Sequence, residues 1–153
     1  MNLDERQQLV VQRAMNAQTV QFVAEQQEEM AELATDQARR EPGWATVAEL
    51  ERARAKTLME VAKEESRLAT EIMLGREPAD LVAAEERELR KDLLEIARME
   101  NAIAETMKAD HTEDDAAAIS VAEQAQRNRD LLRHVARTAT EADRELRTGT
   151  REK

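Results

Sequence analysis

Apolar residues recur along this chain at steps of three, four and seven, and nowhere in the strict alternation of a strand. The clearest stripe is Val82, Leu89, Leu93, Ile96, Ile103 and Met107, interrupted by Glu86 and Glu100. A looser one joins Val47, Leu50, Leu58, Val61, Leu68 and Ile72. Nearer the start, Val20, Val23, Met30 and either Leu33 or Ala34 share a face, with Val10, Val11, Met15 and Phe22 close by. Toward the end, Ala118, Ala122, Ala125, Leu132, Ala136, Ala139 and Leu146 fall on one side. Each set marks one face of a helix.

The punctuation between stripes is sparse and well placed. Asn2 with Glu5, and Thr46 with Glu49, read as capping boxes, and Thr112 opens a third, box-like start rich in carboxylates. Pro42-Gly43 stops the first helix, Gly75 supplies a left-handed cap for the second, and Pro78 suits the first turn of the third. Gly149 closes the fourth. The pattern predicts helices over about 3–40, 46–74, 78–108 and 113–147, in one helical domain covering 1–148, followed by a flexible tail at 149–153. Short connections favour antiparallel neighbours. The expected fold is all-α: an elongated antiparallel helical bundle, or coiled-coil hairpins, of four long helices.

Composition qualifies this picture. Leu, Ile, Val and Phe make up only 28 of 153 residues, and the net charge is −10, values usual for disordered chains. Yet Ala, Glu, Arg, Leu and Lys supply 88 residues, and these are strong helix formers. With only three glycines and two prolines, the balance falls to folded helices. The alanine-rich stripes bury little area each, so a thin core is expected, gaining stability from a dimer or a bound partner.

The acidic balance and the absence of tyrosine oppose nucleic-acid binding, which needs a basic footprint and stacking aromatics. The arginines of the last segment (Arg127, Arg129, Arg133, Arg137 and Arg144) read as a solvated face paired with neighbouring acids. No apolar run is long enough to span a bilayer, and MNLDERQQ lacks the basic start of a secretion signal, so a cytoplasmic location is expected. Without cysteine, thiol chemistry and Cys-based metal sites are excluded.

Candidate chemistry is weak. Asp110 to Asp115 gathers carboxylates and His111, as a loose cation site could, but without the spacing of a calcium loop; an inter-helix loop explains it as well. His134 sits mid-helix with Arg137 three residues on, a faint echo of a phosphoacceptor, and reads first as a half-exposed structural residue. Glu29 and Glu32 look like half of the acidic motif of all-α, magnesium-dependent nucleotide pyrophosphohydrolases; the sole completing pair, Glu77 and Asp80, straddles Pro78. The seven methionines suit either a thin core or an adaptable groove for a partner helix.

Three stretches resemble the flagellar export chaperones of the FlgN type: Ala48-Glu49-Leu50 through Lys56-Thr57-Leu58-Met59 to Glu64-Glu65-Ser66-Arg67-Leu68; Leu74-Gly75 with Pro78-Ala79-Asp80-Leu81; and Gln126 to Leu132. The resemblance implies binding to helical ends of secreted axial proteins, with Asn128, Leu131 and Leu132 in or near the contact helix. The spacing after Lys56 and the loop from Asp110 to Asp115 depart from the family pattern.

The expected function is therefore non-enzymatic: a helical chaperone or assembly factor that holds a helical protein partner. The expected contact residues are Leu89, Leu93, Ile96, Ile103, Met107, Asn128, Leu131, Leu132 and Val135. A homodimer is a further expected partner; no cofactor, metal, membrane insertion or small-molecule substrate is expected. The alternatives are a self-assembling coiled-coil scaffold and the pyrophosphohydrolase.

Overall fold

The computed structural model describes residues 3–75, 79–110 and 115–151. Four helices account for nearly all of them: α1 (Leu3–Ala38), α2 (Trp44–Leu74), α3 (Ala79–Asp110) and α4 (Ala116–Arg151). At 1.5 Å per residue each is about 46–54 Å long. The expected all-α bundle is the fold observed, and among the described residues no strand occurs.

The helix ends differ in detail from the spacing rules. α2 begins at Trp44, ahead of Thr46, because Trp44 is buried and its amide already reaches the Glu41 carbonyl at 3.1 Å. The indole N–H donates to the Glu41 carboxylate at 3.3 Å. The cap of α4 is Asp115, whose Oδ1 accepts from the Ala118 amide at 3.1 Å. α4 continues through Gly149, since one glycine weakens a helix by only about 1 kcal/mol. Asn2, Pro78, Thr112 and the end of the tail lie outside the described residues, as do Glu77 and His111.

Gly75 ends α2 as its spacing predicts. It takes a left-handed conformation (φ 65°, ψ 27°) and donates its amide to the Glu71 carbonyl at 2.8 Å. A Cβ there would meet only an Arg6 nitrogen at 3.9 Å, so the cost of a side chain is conformational. Gly75→Ala is expected to lower stability by about 1 kcal/mol, a fall of roughly 2–4 °C in Tm for a chain of this size, measurable by calorimetry.

The interior follows a heptad of alternating steps of three and four. α1 buries Leu9, Arg13, Asn16, Val20, Val23, Gln27, Met30 and Ala34. α2 buries Trp44, Ala48, Glu51, Ala55, Leu58, Ala62, Glu65, Ala69 and Ile72 on the same period. α3 contributes Glu86, Leu93, Ile96, Glu100, Ile103 and Met107, and α4 Ala118, Val121, Ala125, Asn128, Leu132, Val135 and Ala139. A 3.5-residue repeat on all four helices defines a left-handed, coiled-coil-like bundle. Cross-helix pairs such as Arg52 with Thr35, Arg129 with Asn101 and Thr138 with Asn16 run antiparallel, giving up-down-up-down topology.

Packing is uneven around the bundle. α1 lies most extensively on α2, and α3 on α4, so the molecule is two hairpins. α1 and α4 close one side, while α2 and α3 meet along the fewest residues. Among the described residues, no helix is long and apolar enough to cross a membrane.

Candidate functional site

Two polar layers cut the core into three apolar compartments. At one end Leu9, Leu68 and Ile72 pack together. The central compartment gathers Val20, Val23, Leu58, Val61, Leu93, Ile96, Leu132 and Val135. The far one holds Met30, Trp44, Ile103, Met107 and Val121. Between the first two stand Arg13, Glu65 and Glu86; between the last two, Gln27, Glu51, Glu100 and Arg54. The layers are offset by two heptads on each helix (13 to 27, 65 to 51, 86 to 100), a rise of about 21 Å.

The first layer is fully desolvated, whereas in the second Gln27, Glu51 and Glu100 are fully buried and Arg54 reaches the surface at its edge. Arg13, Glu65 and Glu86 are all 0% exposed. The Arg13 guanidinium donates to Glu86 and lies 3.9 Å from a Glu65 oxygen. In the second layer Gln27 donates its amide to Glu100, and Arg54 donates to Glu51 at 3.2 Å. Two carboxyls facing across α2 and α3 cannot both ionise in this setting. Burial, then the Glu100 charge, pushes Glu51 up to about 9, with Arg54 pulling the other way. Burial, then the Glu86 charge, pushes Glu65 up to about 9 against Arg13. Burial also raises Glu100, offset by hydrogen bonds from Gln27 and Glu51 and by the Arg54 charge. Glu51 and Glu65 therefore hold their protons at neutral pH, each facing a glutamate of α3.

Both acidic members on α3 fall in the apolar phase of that helix. The sequence shows them as interruptions of its stripe, and their in-phase position is the signal that they face inward.

Where α2 and α3 diverge, a cleft of about 770 Å³ opens. Its walls are Trp44, Val47 and Leu50 on α2 and Met99, Ile103 and Met107 on α3. A second hollow of about 310 Å³ continues it past Leu50 and Met99 to Ile96. Arg54 borders both hollows, and Arg40 and Glu41 border the mouth of the larger one. Leu50 and Met99 are 43% and 38% exposed, so water-facing apolar surface runs along the seam.

The expected contact residues divide between two places. Ile96, Ile103 and Met107 border the cleft or its extension. Leu93, Asn128, Leu132 and Val135 are 0% exposed and belong to the bundle interior. They hold α3 and α4 to the other hairpin, and a partner would reach them only if the hairpins parted. Asn128 in particular accepts from Gln124 at 2.9 Å and points its amide at the Met30 sulfur. Leu89 and Leu131 are half-buried against the central compartment. Sequence reasoning missed Trp44, Leu50 and Met99 as wall residues; no periodicity separates a core position from one beside a gap.

Glu29 and Glu32 are exposed on α1, and among the described residues no three His, Cys, Asp or Glu side chains converge as a metal site would require. His134 is exposed on α4. The cation-site candidate at Asp110–Asp115 falls largely outside the described residues. Comparison with protein-family models, with curated proteins and with solved structures gives no match for this chain.

Proposed function

We propose that this chain is a non-enzymatic helical interaction protein, a chaperone or assembly factor, that receives an amphipathic helix of a partner in the α2/α3 cleft. The observation that carries this reading is the cleft itself. An apolar trough between two helices, walled by methionines, Leu50 and Val47, offers the shape and the adaptable surface that helix-in-groove recognition uses. A helix presenting apolar residues at i, i+3 or i+4, and i+7 would complete the heptad layer that α2 and α3 leave open. The stretch of α2 that resembles the export chaperones, Ala48 to Leu68, contributes Leu50 and Arg54 to one wall of this trough.

Trp44 is the single tryptophan of the chain, so its fluorescence reports occupancy directly. A captured partner, added back as its purified helical segment, is expected to shift that emission. Leu50→Glu and Met99→Glu place charge on the exposed walls without touching the interior. Each is expected to weaken binding at least about tenfold, because burying a large apolar side chain contributes roughly 1.5–3 kcal/mol. Binding that survives both substitutions overturns the assignment. A large self-assembled species in light scattering would favour the scaffold instead.

A further inference from the structure

The outer face of α1 breaks the charge pattern of the molecule. Residues 7–24 contain one charged side chain, Arg13, and it is buried in the core. The exposed residues between Gln7 and Phe22 are Gln7, Gln8, Val11, Ala14, Met15, Gln18, Gln21 and Phe22, all of them uncharged. This occurs in a chain that is 37% charged. Val11, Met15 and Phe22 are 57%, 61% and 48% exposed.

These positions are ordered. Val11, Met15, Gln18 and Phe22 follow steps of four, three and four, a second heptad seam on the side of α1 opposite its core seam. Outermost heptad positions of a solvent-facing helix normally carry charge. A seam of large apolar groups and glutamines is a contact surface, since interface cores are depleted of charge and enriched in Met and aromatics. The furrow between α1 and α4, bordered by Val11, Met15, His134 and Thr138 with Asp4 in its lining, widens this surface beyond one helix.

We infer that this face docks a second copy of the chain, α1 against α1, antiparallel about a twofold axis near Asn16 and Ala17. The charge argument selects this occupant. Two chains of net charge −10 repel one another at long range, and this face is where close contact between copies adds no like-charge pair along the seam. A basic partner would instead be drawn to the acidic surfaces. Orientation follows from the ends of the seam. A parallel pair would set Asp4, Glu25 and Glu29 each against its own copy. The antiparallel pair places Val11 against Phe22, Met15 against Gln18, and Glu25 against Gln8, which can donate to it. Only Asp4 and Glu29 then face as like charges, at the solvated ends. Such a contact is isologous and closes on itself.

The test is sedimentation equilibrium of the full chain with surface substitutions on this face. The wild type is expected to dimerise, and Met15→Glu and Phe22→Glu each to weaken the dimer at least about tenfold. Their helicity and Tm as monomers should be retained, because neither side chain enters the core. Since the chain has no cysteine, single cysteines report orientation cleanly. Met15→Cys should be linked across the dimer by a short bismaleimide. Phe22→Cys, displaced about 16 Å along the axis from its copy, should not be linked. A wild-type monomer, a dimer indifferent to both glutamates, or efficient linking through Phe22→Cys would each overturn the proposal. The α2/α3 cleft lies on another side of the bundle, so loss of dimerisation leaves partner binding there separately testable.

Discussion

Arg13→Met is expected to cost about 3–5 kcal/mol of folding stability at pH 7, a large share of the total for a domain of this size. Arg13 supplies the positive charge of its layer and is fully buried with Glu65 and Glu86. Its loss leaves Glu65 and Glu86 buried side by side with no cation between them. The companion variant Arg13→Met, Glu65→Leu, Glu86→Leu removes every charge and replaces the layer with apolar volume. It is expected to be as stable as the wild type or more so by about 1–4 kcal/mol, because the native layer loses in desolvation much of what it gains in attraction. Urea unfolding of both variants at pH 7 measures this. A single variant that costs under about 1 kcal/mol would show that water reaches the layer.

The second large effect is on pH. Folding stability is expected to fall steadily from about pH 5 to about pH 9. Glu51 and Glu65 stay protonated in the bundle up to about 9, whereas in the unfolded chain they ionise near the ordinary value of 4.5. Between those limits the unfolded state binds fewer protons than the native state, so raising the pH favours unfolding. The contribution is complete below 4.5 and lost once the pH passes the folded value. Each such proton sets a limiting slope of about 1.4 kcal/mol per pH unit. Glu100, raised by the same burial, acts in the same direction. Glu51→Gln with Glu65→Gln keeps a donor at both positions and removes the titration. That variant should show a much shallower profile over this range, with only Glu100 still contributing, and exceed the wild type in stability at pH 8. Denaturant midpoints at pH 5, 7 and 9 decide it; equal slopes in both proteins would refute protonation of Glu51 and Glu65 in the bundle.

How far the sequence carries depends on the residue asked about. The four helices were legible because glycine and proline occur almost only between the stripes, and Gly75 sits where its left-handed cap is needed. The ends shifted where a side chain outcompeted a capping rule, as when burial of Trp44 drew the start of α2 ahead of Thr46. The interior was half legible. Leu58, Leu93 and Leu132 declare themselves by hydropathy, whereas Arg13, Gln27, Glu51, Glu65, Glu86 and Glu100 declare themselves only by phase. Hydropathy sends an isolated glutamate outward, and only a partner on another helix can hold it inside. That partner lies 73 residues away for both Arg13 and Gln27. The cleft was least legible, since it arises from the distance between α2 and α3 rather than from the pattern on either.

The hairpin arrangement also bears on how the chain is made. Most contacts of α1 are with α2, its immediate successor, so their pairing closes over short loops and nucleates early. On the ribosome the first hairpin can form while α3 is still being synthesised. Its inner face then carries Glu51 and Glu65 without their partners on α3, wet and ionised. The nascent half is thus kept soluble by the same groups that later sit in the core. Joining the two halves is therefore expected to be accompanied by proton uptake at Glu51 and Glu65.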